Sequence, residues 1–70
     1  MQFNINKNNF NIAMLKKGYT TRELAKRTKL STSTITRAMS TNKKLNIKTI
    51  KKIADALNVD ADTLAIVNND

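Results

Sequence analysis

The sequence predicts an all-α fold: one compact domain of five short helices. Apolar residues recur at three- and four-residue spacing in several separate stretches, which is the pattern of amphipathic helices. A residue of the Ser, Thr, Asn or Asp type precedes each stretch, and these residues cap helix N-termini. The chain also contains no proline and a single glycine. The chain has 70 residues, which is enough for one domain. A domain of this size buries only about 60% of the surface that its unfolded chain exposes.

The stretch Thr20–Ser40 is predicted to form two of these helices. Thr20 and Glu23 have the spacing of a capping box, in which the Thr hydroxyl accepts from an early backbone N–H and the Glu reaches back to the cap. Tyr19 and Leu24 occupy the positions of a hydrophobic staple. The first helix therefore runs from residue 21 to about residue 28.

The second helix of this stretch is predicted to begin after Ser31 as its cap and to run to about Ser40. The turn Lys29-Leu30-Ser31 separates the two helices, and a turn of this length between two short helices predicts a helix-turn-helix. Ala25 provides the small side chain that two steeply crossing helices require.

The outward face of the second helix carries short hydroxyls and one arginine. A solvated helix face more often carries Glu and Lys. Hydroxyls can pair flexibly with base edges, and an arginine can clamp a guanine, so this face favours contact with DNA bases. Its members at helical spacing are Thr32, Ser33, Thr36, Arg37 and Ser40.

A first helix is predicted before this motif, capped by Asn8 or Asn9 and ending near Lys17. Gly18 provides the stop, since glycine adopts positive φ without a steric cost. The predicted apolar face of this helix consists of Phe10, Ile12, Ala13, Met14 and Leu15.

Two further helices are predicted after the motif. The fourth begins after the cap Asn46 and ends at Asn58, which we expect to be left-handed. Its periodic apolar face is formed by Ile47, Ile50, Ile53, Ala54 and Leu57. Between the third and fourth helices lies a polar, basic loop, residues 41–45. Asp60 caps the last helix, which is predicted to run from Ala61 to about Val67.

The first seven residues alternate apolar and polar side chains, which predicts a short extended segment. This segment could lie across the core, pair with a second subunit, or be disordered. The predicted organisation is therefore an N-terminal extension over residues 1–7, a helix-turn-helix domain over residues 8–67 and a tail over residues 68–70.

The charge of the chain is strongly asymmetric. The net charge is +8 and the pI is about 10.2. All 13 lysine and arginine residues lie within residues 1–54 together with one acid, Glu23, so this part carries +12. Residues 55–70 contain four aspartates and no base, so they carry −4. One end of the molecule is therefore expected to face a polyanion and the other to face away from it.

The composition argues against several classes of function. The chain has no histidine and no cysteine, which removes the commonest general base, the commonest metal ligand and any disulfide. We therefore expect no enzymatic activity, no metal and no cofactor. It contains no apolar run of 18 residues and no signal peptide. We expect no membrane association and a cytoplasmic location.

The segment LKKGYTTRELAKRTKLSTSTITRAM resembles the DNA-binding domain of the Cro/CI-type family, also known as the lambda-repressor-like or XRE family. The resemblance covers about residues 10–67. The matching positions of the motif are Gly18, Tyr19, Thr20, Glu23, Leu24, Ala25, Leu30, Ser31, Thr34 and Ile35. The match continues through Thr49, Ile50, Ala54, Leu57, Val59 and Leu64.

The resemblance implies a sequence-specific regulator of transcription that binds double-stranded DNA with its second motif helix in the major groove. The candidates for reading bases are Thr32, Ser33, Thr36 and Arg37. The phosphate-binding candidates are Thr20, Thr21, Ser31, Ser40, Asn42, Lys43, Lys44 and Lys48. A small Cro-like repressor of a phage or mobile element is the expected role.

Relatives usually form dimers on near-palindromic operators, so the resemblance also implies a homodimer, at least on DNA. The candidate dimer or partner surface consists of Leu64, Ile66 and Val67. The alternative is an antirepressor that binds a partner repressor protein, with Phe3, Ile5, Ile66 and Val67 as its working surface. The operator sequence, the direction of regulation and any effector cannot be inferred from the sequence.

The family often has Gly at the positions of Lys29 and Thr41. The resemblance therefore implies that Lys29 is left-handed in the turn, and that Asn42 takes the left-handed position in the loop after the second motif helix.

A further departure from the family pattern involves two positions. Many relatives carry Arg and Glu, as a buried salt bridge, at the positions of Met14 and Met39. Replacing both partners of such a pair by apolar residues can be neutral or stabilising, whereas losing one leaves a charge without its partner. We therefore expect Met14 and Met39 to touch in the core.

Overall fold

The computed structural model describes residues 2–40 and 44–68. They form five helices and two short strands. In chain order the elements are β1 (Gln2–Ile5), α1 (Lys7–Lys17), α2 (Thr21–Thr28), α3 (Thr32–Ala38), α4 (Ile47–Leu57), α5 (Ala61–Leu64) and β2 (Ala65–Asn68). The predicted five helices are therefore present, together with a two-stranded sheet that the all-α prediction did not include.

Side-chain caps determine where the helices begin. The Thr20 hydroxyl accepts from the backbone N–H of Glu23 at 3.1 Å. Asn46 caps α4 in the same way, as predicted, by accepting from the backbone N–H of Thr49 at 2.9 Å. Helix α1 begins earlier than expected, because its cap is Asn6 and not Asn8 or Asn9. Asp60 precedes α5 as predicted, but its side chain makes no capping bond.

Three helices end at a left-handed residue. These residues are Gly18 with φ 68°, Lys29 with φ 61° and Asn58 with φ 57°. After α1, the N–H of Tyr19 donates to the carbonyl of Met14 at 3.2 Å. The same six-to-one bond, typical of a Schellman motif, follows α2 and α4. The prediction of left-handed Lys29 and Asn58 is confirmed, whereas Asn42 lies outside the described residues.

The core is a single apolar cluster to which every helix contributes. Its largest fully buried side chains are Phe10, Leu24, Ile35, Ile50, Ile53 and Leu64. Three predicted core positions are wrong, because Ile12, Leu15 and Ile47 are exposed, with Leu15 81% exposed. These residues lie at the flank of their helices, where the periodic pattern permits burial but no other element of residues 2–40 and 44–68 covers them.

The predicted last helix is too long. Helix α5 ends at Leu64, and the following residues Ala65–Asn68 form β2, which pairs antiparallel with β1. Phe3 lies opposite Val67 and Ile5 lies opposite Ala65. β-Branched Ile66 and Val67 suit a strand, and pairing satisfies the backbone groups of the N-terminal segment. The N-terminal segment is thus extended, as predicted, and its partner is the C-terminal segment of the same chain.

Leu45 lies on the other side of β1. Its backbone N–H donates to the carbonyl of Phe3 at 2.6 Å, and its carbonyl accepts from the N–H of Phe3 at 3.2 Å. Leu45 and Ile5 are both buried. The end of the loop before α4 is therefore part of the core, and Ile5 cannot belong to an exposed partner surface.

Among the helices that the structure describes, none has the length and hydropathy needed to cross a membrane.

Candidate nucleic-acid interface

Helices α2 and α3 form a helix-turn-helix whose inner faces are packed against the core. Leu24 and Ile35 are fully buried, and so is Ala38. Ala25 is also buried, which fits the predicted need for a small side chain where the two helices approach. The burial of these residues fixes which face of α3 is turned outward.

The turn between the two helices is held by hydrogen bonds from both sides. The N–H of Leu30 donates to the carbonyl of Ala25 at 3.1 Å, which closes the end of α2. The hydroxyl of Ser31 accepts from the N–H of Thr34 at 3.1 Å, which caps α3. Because both bonds are local, the path of the chain from α2 to α3 is determined largely by residues 25–34.

Thr28 is a structural residue of this turn that the sequence analysis did not identify. It is buried, and its hydroxyl lies 2.8 Å from the carbonyl of Leu24 and 3.1 Å from that of Ala25, to which it donates. The same oxygen accepts from the N–H of Leu30 at 3.3 Å. A threonine four residues after a buried leucine in the same helix is the available sequence signal, since Thr in helices bonds back to the fourth preceding carbonyl.

The predicted base-reading residues are brought together on one exposed surface. Thr32, Ser33, Thr36 and Arg37 are all exposed on α3. Thr36 follows Thr32, and Arg37 follows Ser33, by four residues, so the two pairs form adjacent rows on the helix. The outward face of α3 therefore consists of hydroxyl groups and one guanidinium.

Ser40 does not belong to this face. Helix α3 ends at Ala38, two residues earlier than predicted, and Ser40 is half-buried in the turn that follows. Its backbone N–H donates to the carbonyl of Arg37 at 3.1 Å. Ser40 remains a candidate for phosphate contact only from the loop.

The N-cap residues of α2 and α3 are further phosphate-binding candidates. Thr20 and Ser31 are exposed, and each of their oxygens accepts from a backbone N–H of its helix. A hydroxyl that accepts in this way can still donate its proton. Thr21, at the first position of α2, is half-buried. The first N–H groups of a helix have no partner within it. The start of α2 therefore presents backbone N–H donors together with the positive end of the helix dipole.

Of the lysines among the phosphate-binding candidates, the structure describes Lys44 and Lys48. Lys44 precedes α4, Lys48 lies in its first turn, and both are exposed. Asn42 and Lys43 lie outside the described residues. Lys51, one turn further along α4, forms an ion pair with Asp55 at 2.9 Å.

The side chain of Glu23, the acid of the predicted capping box, makes a different contact from the one predicted. The carboxylate of Glu23 does not reach back to the cap but pairs with Arg27, with 3.0 Å between Oε2 and Nε. The guanidinium carbon of Arg27 lies 4.6 Å from the centre of the Tyr19 ring, a cation–π distance. Arg27 therefore compensates the one acid of residues 1–54 beside the start of α2.

The candidate dimer surface is only partly present. Leu64 is fully buried in the core and cannot contact a partner, so this part of the prediction is wrong. Ile66 and Val67 are 49% and 50% exposed. Because successive strand residues face opposite sides, their side chains lie on opposite faces of the sheet.

Comparisons with known proteins agree with this geometry. The model of the family described as "Cro/C1-type HTH DNA-binding domain" matches residues 9–70. A crystal structure from Bacteroides fragilis, described as a "putative DNA-binding protein", superposes with a TM-score of 0.70 at 26% sequence identity, covering 91% of this chain and 98% of that chain. A comparison with curated proteins finds no match.

Proposed function

Because this chain belongs to the Cro/C1-type helix-turn-helix DNA-binding family, we propose that it is a sequence-specific regulator of transcription that places α3 in the major groove. The observation that carries the proposal is the exposed face of α3. Its side chains are Thr32, Ser33, Thr36 and Arg37. All four can hydrogen-bond, none is an acid, and none is needed for the core.

The residue types on α3 fit base recognition. An arginine can donate two hydrogen bonds to the O6 and N7 atoms of guanine, and hydroxyls can donate or accept at several base edges. Arg37 lies in the last turn of α3. It can reach a base only if α3 lies along the major groove, so that its last turn as well as its N-terminal end is inside the groove. We therefore assign Arg37 to a guanine and Thr32, Ser33 and Thr36 to neighbouring base pairs.

Phosphate contacts would fix the orientation of α3. We propose that the start of α2, with Thr20 and Thr21, contacts one phosphate, since helix N-termini favour anions. On the other side, Ser31, Ser40 and the segment leading into α4 would contact further phosphates. That segment supplies Asn42, Lys43 and Lys44, and the first turn of α4 supplies Lys48. Each phosphate neutralised by the protein makes binding more sensitive to salt.

The proposed binding mode supports a proposal for the regulatory role. A small domain that occupies an operator blocks access to the DNA beneath it, so we propose a Cro-like repressor of a phage or mobile element, active in the cytoplasm and without enzymatic function. One chain presents one α3. We therefore propose that two copies bind a near-palindromic operator, with their α3 helices about 34 Å apart in successive major grooves.

The experiment that tests the proposal is the selection of bound sequences from a random duplex pool at near-physiological salt. The expected product is a short inverted repeat. The Arg37→Ala variant should then bind the selected site about 1–3 kcal/mol more weakly and lose its preference at one base position. Lys52→Ala, which removes the same charge from an exposed position of α4, is the control and should keep the preference.

Two outcomes would contradict the assignments. If Arg37→Ala weakened binding equally on all sequences, Arg37 would be a phosphate contact and not a base reader. If the pool yielded no sequence beyond general affinity for DNA, specific operator binding would be refuted. The alternative, an antirepressor that binds a partner repressor protein, would then be tested by measuring that binding directly. Of its predicted surface, Ile66 and Val67 are exposed, whereas Ile5 is buried and cannot take part.

A further inference from the structure

The turn between α2 and α3 contains a lysine in a strained backbone conformation. Among the described residues, three helices end at a left-handed residue, and two of these positions hold Gly18 and Asn58. Glycine and asparagine are residue types that adopt left-handed φ readily. The third position is Lys29, with φ 61° and ψ 24°. A lysine side chain has no short polar group that could relieve the strain, so the lysine needs another explanation.

The hydrogen bonds of the turn do not provide that explanation, because they involve only the backbone of Lys29. Its N–H donates to the carbonyl of Lys26 at 3.4 Å, and the N–H of the following Leu30 donates to the carbonyl of Ala25 at 3.1 Å. Glycine at position 29 would keep both bonds and adopt the same φ without the steric cost. The path of the chain from α2 to α3 therefore does not require a lysine.

The side chain of Lys29 also has no bonding partner in the part of the chain that the structure describes. It is exposed, and it forms no ion pair or hydrogen bond with residues 2–40 and 44–68. The one acid of the motif, Glu23, is already paired with Arg27 at 3.0 Å. The ammonium group of Lys29 is therefore available to an anion outside the domain.

The positive charge of Lys29 is not needed to stabilise the end of α2. Cations interact favourably with the C-terminal end of a helix, but the last turn of α2 already contains Lys26 and Arg27. Residues 20–40 hold five basic side chains, Lys29 included, against the single acid Glu23. A further positive charge in this surrounding is repelled by its neighbours. Its benefit must therefore come from a negatively charged partner.

We propose that Lys29 contacts a phosphate of the DNA at the edge of the major groove that α3 occupies. One residue separates Lys29 from Ser31, the cap of α3, and Thr32 is the first residue of that helix. The ammonium of lysine is a compact point charge on a flexible stem, which suits a phosphate better than a base edge. This inference rests on the proposed function, since it requires the α3 side of the protein to face DNA.

The proposed contact predicts opposite changes in stability and in affinity. Lys29→Gly relieves the backbone and removes the charge, so the variant should unfold at a higher temperature than the wild type and bind DNA more weakly. A substitution that weakens binding by damaging the fold lowers both quantities. The opposite signs therefore distinguish a residue kept for binding from a residue kept for the fold.

Fluorescence anisotropy at several salt concentrations measures the affinity for the duplex selected from the random pool and for an unselected duplex. At about 0.1 M salt, Lys29→Gly should bind about three- to tenfold more weakly per bound copy, and the slope of log K against log salt should fall by about one. A loss should appear on both duplexes, because a phosphate contact does not read the sequence. Lys52→Ala removes the same charge from an exposed position of α4 and, as the control, should keep the wild-type slope.

Two further variants separate the charge of Lys29 from its backbone. Lys29→Asn suits the left-handed conformation and lacks the charge, so it should lose affinity as Lys29→Gly does, without the flexibility of glycine. Lys29→Arg keeps the charge and the strain, so it should keep the wild-type salt slope. The proposal is overturned if Lys29→Gly and Lys29→Asn bind like the wild type. It is equally overturned if Lys29→Arg loses as much affinity as they do, because the charge would then not be the cause.

The two duplexes separate this proposal from the proposed function. If the wild type selects no sequence, the proposed sequence-specific function is refuted, while binding to the unselected duplex still decides the contact of Lys29. If the wild type recognises an inverted repeat and the uncharged variants bind it equally well, only the contact of Lys29 is refuted. Absence of any binding of the wild type to either duplex would refute both.

Discussion

The left-handed residue in the turn of the helix-turn-helix allows a quantitative test of the fold. Lys29 has φ 61° and ψ 24°, and this conformation costs a residue with a Cβ roughly 1–2 kcal/mol. Glycine removes that cost but loses about 0.5–1 kcal/mol through its freer unfolded chain. The Lys29 side chain is exposed, and the bond from Leu30 N–H to the Ala25 carbonyl involves only backbone. Lys29→Gly should therefore stabilise the domain by about 0.5–1 kcal/mol.

Thermal unfolding followed by circular dichroism measures this effect. For a domain of this size the gain corresponds to a rise in Tm of about 2–8 °C. The matched control is Lys26→Gly, which makes the same substitution and removes the same charge from an exposed position inside α2. Glycine within a helix costs about 1 kcal/mol, so this variant should unfold at a lower temperature. A Tm for Lys29→Gly equal to or below that of the wild type would refute the assignment of strain to this turn.

Three further predictions concern the packing around the motif, each checked by urea unfolding. Ala25→Leu should lower the free energy of unfolding by about 1–3 kcal/mol, because it overpacks a buried helix crossing; no loss would show that the crossing has spare room. Thr28→Val should cost about 1 kcal/mol through its lost hydroxyl bonds, whereas the exposed Thr36→Val should change stability by less than about 0.5 kcal/mol. Equal effects at the two threonines would contradict the structural role of Thr28. Met14 and Met39 both pack partly buried against the core. Met14→Arg and Met39→Glu should each lower the free energy of unfolding. The double variant should be at least about 1 kcal/mol more stable than the sum of the two single effects predicts. Additive effects would disprove the contact between the two methionines.

Local signals in the sequence predict most of the helical part of this protein. Three of the N-caps, Thr20, Ser31 and Asn46, lie where predicted, because a cap bonds to a backbone group only three residues away. The ends of three helices are also local, since a left-handed residue and its neighbour close the preceding turn. The helix-turn-helix and the outward face of α3 follow from the same short-range rules.

The sheet and the borders of the core depend on the tertiary structure. The β-branched Ile66 and Val67 favour a strand, but they do not fix the boundary between Leu64 and Ala65. Pairing with residues some sixty positions earlier in the chain decides where the helix ends and the strand begins. The flanks of α1 and α4 also depend on distant segments. Leu15 and Ile47 fit the helical pattern as well as buried residues do, but they are exposed because no element among the described residues packs over them.

The amino-acid sequence by itself therefore determined where the helices of the motif begin and end, and which residues α3 presents outward. Those features rest on hydrogen bonds and side-chain periodicity within a few residues. Only the tertiary structure decided that the two ends of the chain pair, that Leu64 is buried, and that Leu15 and Ile47 are exposed. Each of these depends on contacts between distant segments, whose free energy exists only when the chain has folded around its core.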